Sequence, residues 1–188
     1  MDTTRARRLS RDLRDWAAPP PLAVLREEYL RFLLDDRVLD RDSGPEHVTA
    51  SCFVLSPDHS RVLLCFHRKG RFWVQLGGHV EPGDASVADA ALREAREESG
   101  LEDLVPLGAT PLDIDRHGLG DGFGRCGAHW DVGYGALADP AAPLLVSDES
   151  DDLAWWPVDA LPADVPPGFP ERLRGALDAA ARGCTMRA

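Results

Sequence analysis

The spacing of hydrophobic and polar positions changes near residue 46, and that change divides the chain. Before it, Leu22, Leu25, Tyr29, Phe32 and Leu33 recur at helical intervals. They predict an amphipathic helix running through Arg37 that must cover either the domain or a second copy of it, so a homodimer stays open. From His47 the pattern is that of strands. Residues 47–55 and 61–67 are largely apolar runs flanking Ser56-Pro57-Asp58-His59-Ser60, the signature of a hairpin. Residues 72–76 form a further short strand feeding a glycine turn. A strand near 111–115, a glycine-rich loop over 117–127 and a strand over 129–137 follow. Residues 153–156 predict a last strand that turns into a short helix over 158–161, and a terminal helix spans about 170–182.

Between the early and late strands lies a helix over about 86–99. Ala88, Ala91, Leu92, Ala95 and Ser99 give it a narrow stripe of mostly small residues, suited to close packing on a sheet. Ser86, with Asp89 three residues on, resembles a capping box, Asp84 is an alternative cap, and Gly100 supplies the left-handed stop. The order of elements fits the α/β class, with helices sandwiching a mixed sheet over residues 46–188 and a helical extension over 1–45. In that extension Arg5, Arg7, Arg8, Arg11 and Arg14 surround sparse apolar residues. Interleaved Asp2, Asp12 and Asp15 favour an exposed helix paired with itself over a nucleic-acid or membrane arm.

Composition narrows the partners. With 188 residues, 44% of them hydrophobic, the chain can bury a sizeable core. Its net charge of -11 argues against a nucleic-acid partner, while small phosphorylated substrates remain compatible. Lys69 is the one lysine, a bias expected of a GC-rich bacterial genome. Cys52, Cys65, Cys126 and Cys184 show no paired or zinc-type spacing and read as reduced thiols. No apolar run reaches the ~18–20 residues of a membrane span. The expectation is a cytoplasmic protein with no membrane partner.

The chemistry concentrates on the predicted helix. Glu94, Glu97 and Glu98 stand at i, i+3 and i+4, so three carboxylates share one face, and like charges at that spacing repel. A hard divalent cation reverses the sign of that energy, since Mg²⁺ takes carboxylates together with substrate phosphates and waters. Arg93 pairs with Glu97 at i, i+4 and orients the cluster.

From Gly78 to Leu101 the chain resembles the Nudix hydrolase family, whose box reads G-x5-E-x7-R-E-U-x-E-E-x-G-U, where U is aliphatic. The stretch from Arg93 to Leu101 matches, with Ala95 as a small U. Upstream, Asp84 stands where the box has Glu, and eight residues instead of seven separate it from Arg93. That insertion leaves the role of Asp84 open, and its loss is expected to matter less than loss of the triad. The fold-level resemblance extends over roughly 46–162. It implies a Nudix-like α/β/α sandwich and an enzyme using Mg²⁺, with Mn²⁺ as the alternative, to hydrolyse a nucleoside diphosphate derivative or a related diphosphate. On the matching positions it implies Glu94, Glu97 and Glu98 as metal ligands or water-positioning groups, the Gly78 carbonyl as a further ligand and Arg93 as their orienting partner. Glu149, in an acidic late loop, is a candidate extra ligand.

For the substrate itself, His79 beside the glycine turn, Arg125 in the glycine-rich loop, His129 after it and the aromatic Trp73 are candidates for contact, while His47, His59 and His67 have no partner that spacing reveals. Two other readings stand beside hydrolysis. Isopentenyl diphosphate isomerase chemistry occurs on the same fold, but the glycine turn here carries none of that enzyme's cysteine context. A binding module without catalysis would have little reason to keep a repelling acidic triad.

Overall fold

The computed structural model describes residues 3–120, 125–147 and 150–185. Twelve elements follow in order: α1 (Thr3–Asp15), α2 (Ala23–Phe32), β1 (Glu46–Leu55), β2 (Arg61–His67), β3 (Phe72–Val74), β4 (Leu76–His79), α3 (Val87–Ser99), β5 (Val105–Pro106), β6 (Asp113–Gly118), β7 (Ala128–Leu137), β8 (Ser150–Pro157) and α4 (Phe169–Thr185). The strands make one mixed sheet. Its central path runs β3-β2-β1-β7-β5, with β4 on β1, β6 on β7 and β8 on β2. Strands β1 and β7 run parallel through ten residue pairs, from Glu46 opposite Ala128 to Leu55 opposite Leu137, and the other pairings are antiparallel.

Because β1 is buried on both faces, its alternate side chains serve two cores. Val48, Ala50, Cys52 and Val54 join Val132, Tyr134 and the small residues Ala88, Ala91 and Ala95 of α3 in one cluster. Phe53 and Leu55 point the other way, into a cluster closed by Phe169, Leu173, Ala176 and Ala180 of α4. Helices therefore cover both faces, as expected of an α/β sandwich.

The predicted acidic helix forms over Val87–Ser99. Ser86 Oγ accepts the Asp89 N–H, and Gly100 takes φ 70°, the left-handed conformation that lets the chain leave the helix. Three expectations fail. Residues 158–161 form a turn and not a helix, between Pro157 and Pro162, whose rings disfavour a continuous helical ladder there. The N-terminal helix is not an exposed arm, because Ala6, Leu9, Leu13 and Trp16 are buried in the same core as β1. The second helix also ends at Phe32, short of Arg37, with a 3-10 turn over Asp36–Leu39 after it.

Candidate active site

Strand β4 and helix α3 lie side by side, and the residues of the box meet at their junction. Gly78 faces the helix: a Cβ there would stand 2.6–2.7 Å from the Glu94 carboxyl atoms, so any other residue would displace that carboxylate from its present position. The neighbouring Gly77 N–H donates to Glu98 Oε2 at 2.8 Å, which fixes that buried carboxylate against the sheet. Glu97 is on the solvent side, with its side chain 58% exposed.

Arg93 ties the group together. Its Nη1 donates to Glu94 Oε1 at 3.0 Å and to Glu97 Oε2 at 2.9 Å, and its Nη2 donates to the His79 carbonyl at 2.9 Å. On its other edge, Nε and Nη2 meet the two oxygens of Asp84 at 3.0 and 3.1 Å in a fork-on-fork pair. Asp84, the residue left open by the insertion, is thus the brace of the orienting arginine. Hydrogen bonding to Asp84 is the main reason that the Arg93 pKa is raised. Asp84 Oδ2 also accepts the Glu81 N–H at 2.7 Å, closing the turn before the helix. From α1, Arg5 reaches over to the carbonyls of Glu81 and Asp84, so the N-terminal helix holds the same turn.

The opposite face of the sheet carries a buried polar layer that sequence reasoning missed. Arg172 of α4 meets Asp113 at 2.6 Å, Asp115 at 3.2 Å and Asp131 at 3.3 Å. Burial works to lower the Arg172 pKa, and the carboxylates of Asp113, Asp131 and Asp115 more than offset it, leaving it raised. Burial pushes the Asp113 carboxyl up to about 6, against the pull of Arg172. Asp131 also accepts Thr49 Oγ1 at 3.1 Å and Ser51 Oγ at 2.6 Å. Across the sheet, the Tyr29 hydroxyl donates to the carbonyls of Asp131 and Asp115, joining α2 to β6 and β7. Asp113 and Asp115 alternate with Leu112 and Ile114 in the sequence, but their convergence with Asp131 and Arg172 depends on how β6, β7 and α4 pack.

Beyond this layer, His47, His79 and His129 gather with Cys126, and one potential ligand atom from each lies within 4.8 Å of the others. His47 is fully buried. Burial lowers its pKa against the opposing pull of the Gly44 backbone. By hydrogen-bond geometry neither of its ring nitrogens is partnered, and Nε2 of His79 and of His129 likewise lack partners. A buried polar group left in that state costs about 1–3 kcal/mol. Burial, reinforced by the neighbouring cations and rings, pushes His79 down to about 4 and His129 to about 3.

The other candidate residues are more dispersed. Trp73 lies in an aromatic group with Phe66 and Trp156, at ring separations of 5.4 Å. Arg125 is exposed next to Cys126. Glu149 lies outside the described residues.

This sandwich, with a glycine-to-glutamate box on β4 and α3, defines the class of Nudix-type hydrolases. The NUDIX domain family model matches residues 45–179, and the chain belongs to that family. Curated proteins yield no match. Solved structures share the fold at low identity. A NUDIX-family hydrolase from Clostridium perfringens aligns with a TM-score of 0.56 at 23% identity, covering 72% of this chain and 97% of that one. The Escherichia coli dihydroneopterin triphosphate pyrophosphohydrolase gives 0.57 at 18% identity, covering 68% and 92%. The NUDIX domain of Shewanella oneidensis NrtR, solved with ADP ribose, gives 0.52 at 18%, covering 74% and 91%. Among the described residues no helix is long and apolar enough to cross a membrane.

Proposed function

We propose that this chain hydrolyses the diphosphate linkage of a small nucleoside diphosphate derivative, using Mg²⁺ or, as the alternative, Mn²⁺. The observation that carries the reading is the packing of the Glu94 carboxylate against a side-chain-free Gly78, with Glu98 held on Gly77 and Arg93 braced by Asp84. The donor set is all oxygen, which fits a hard divalent cation, and Glu94, Glu97, Glu98 and the Gly78 carbonyl are the residues proposed to hold it. When bound, such a cation supplies charge neutralisation of the diphosphate and a more acidic water.

The residues of the chain do the positioning. Glu98 is anchored from the sheet, Arg93 spaces Glu94 from Glu97, and Glu97 stands where substrate and water have access. Closely spaced carboxylates titrate together, so none of the three is singled out as the base. Exposed Arg125 supplies a cation for a phosphate. The E. coli structure is named for dihydroneopterin triphosphate and the Shewanella domain was solved with ADP ribose, both phosphate-linked compounds of this size class.

The test is release of phosphate or nucleotide from a panel of diphosphate compounds with Mg²⁺ or Mn²⁺. Glu98→Gln and Glu97→Gln should each remove metal-dependent turnover by about 100-fold or more. Because Glu97 is exposed, Glu97→Gln should leave the melting temperature of the metal-free protein nearly unchanged. Full activity of either variant would reject the reading.

A further inference from the structure

We propose that His47, His79, His129 and Cys126 form a second metal site, holding one zinc ion through three imidazole nitrogens and a thiolate, separate from the acidic box. The sheet builds it. His47 stands opposite His129 in the parallel β1–β7 register, and His79 ends β4, which pairs with β1 through Thr49 two residues further on. Three adjacent strands therefore present three rings at one end of one sheet face, with centroids 5.0–5.3 Å apart. Cys126 completes the set from the last residues of the glycine-rich loop, where Gly127 and Ala128 both donate to the Pro45 carbonyl.

The donor chemistry selects the metal. Tetrahedral zinc at ~2.0–2.1 Å from nitrogen and ~2.3 Å from sulfur places neighbouring ligand atoms roughly 3.3–3.7 Å apart. The four atoms already lie within 4.8 Å of one another, so side-chain rotations of about 1 Å close the site. Nitrogen and thiolate donors do not suit Mg²⁺ or Ca²⁺. The ring nitrogens of the fully buried His47, which have no hydrogen-bond partner, are what a metal would satisfy. His117 lies beside His129 with its Nδ1 2.8 Å from Asp115 Oδ2, a neighbour outside the four ligands.

Four protein ligands leave no open position, so the ion is structural and not hydrolytic. Its position matters nonetheless. His79 is the residue whose carbonyl holds Arg93 and whose preceding neighbour is Gly78. An ion fixing the His79 ring would stiffen the end of β4 under the acidic box and pin the end of the loop carrying Arg125 to the sheet.

The experiment uses the full chain purified without an affinity tag that binds metal. Zinc content is read by mass spectrometry, and the stripped protein is titrated with zinc and with cobalt(II). The expected result is one zinc per chain, a tetrahedral cobalt spectrum with a thiolate charge-transfer band, and a melting temperature raised by zinc. Cys126→Ser, on a partly exposed loop residue, should fold normally by circular dichroism, lose that band and weaken zinc binding by an order of magnitude or more. A Glu97→Gln/Glu98→Gln variant should keep zinc and the band. Absence of zinc binding, an unchanged cobalt spectrum in Cys126→Ser, or loss of zinc from the acidic-box variant with retention in Cys126→Ser would each overturn the site.

Discussion

Replacing Asp84 by Ala separates bracing from catalysis. The Asp84 side chain is 6% exposed and that of Arg93 22%. Breaking a fully buried ion pair by removing one partner costs about 3–5 kcal/mol. Arg93 would keep Glu94, Glu97, the His79 carbonyl and some solvent, so the stranded charge accounts for about 1–2 kcal/mol. Loss of the bond from the Glu81 N–H adds about 1 kcal/mol. The sum, about 2–3 kcal/mol, corresponds to a fall in melting temperature of roughly 4–12 °C for a domain of this size. Activity should fall about 10–100-fold, because Arg93 then positions Glu94 and Glu97 less well. Differential scanning fluorimetry and phosphate release measure the two effects. Asp84→Asn, which keeps an acceptor for Glu81, should recover part of the stability. A melting temperature within about a degree of the parent, with unaltered turnover, would refute the bracing role.

Other expected outcomes concern single contacts. Gly78→Ala would push a methyl group into the Glu94 carboxylate and should cost metal-dependent turnover at least as much as Asp84→Ala, by steady-state kinetics. Tyr29→Phe removes a buried donor shared by two carbonyls and should cost about 1–3 kcal/mol by urea unfolding, with little change in fluorescence of the folded state. For Asp113, the native pKa of about 6 exceeds the ordinary 3.8, so between these values the folded protein holds a proton that the unfolded chain has released. Its contribution to stability therefore grows as pH falls through 6 and fades as pH rises. Relative to Asp113→Asn, the parent should gain about 1 kcal/mol between pH 7 and pH 5, and a constant or reversed difference in urea midpoints would contradict the raised pKa.

Local periodicity revealed the acidic helix because its stripe, cap and glycine stop act within a few residues of one another. The hairpin β1–β2 was legible for the same reason. Ala6, Leu9, Leu13 and Trp16 also fall at helical spacing, but the stripe is narrow among the arginines, and only the packed fold shows it buried. Asp84 was obscured because a count along the chain cannot show that its carboxylate folds back onto Arg93. The histidine and cysteine cluster was hidden more deeply. Its members come from three strands and a loop, and no spacing in one dimension encodes the register that brings residue 47 opposite residue 129. The proline-flanked turn at 158–161 shows apolar residues without a helix, since packing against α4 can use them in irregular backbone.

The parallel pairing of β1 with β7 also bears on how this protein is made. Ten residue pairs join segments about eighty positions apart, so the central seam closes only after the intervening chain has been gathered. A ribosome must release residue 137 before Leu55 gains its neighbour, and until then a strand that is almost wholly buried in the finished fold lacks half its cover. Overexpression of the chain should therefore favour slow elongation and low temperature, with inclusion bodies as the competing fate of the unpaired strand.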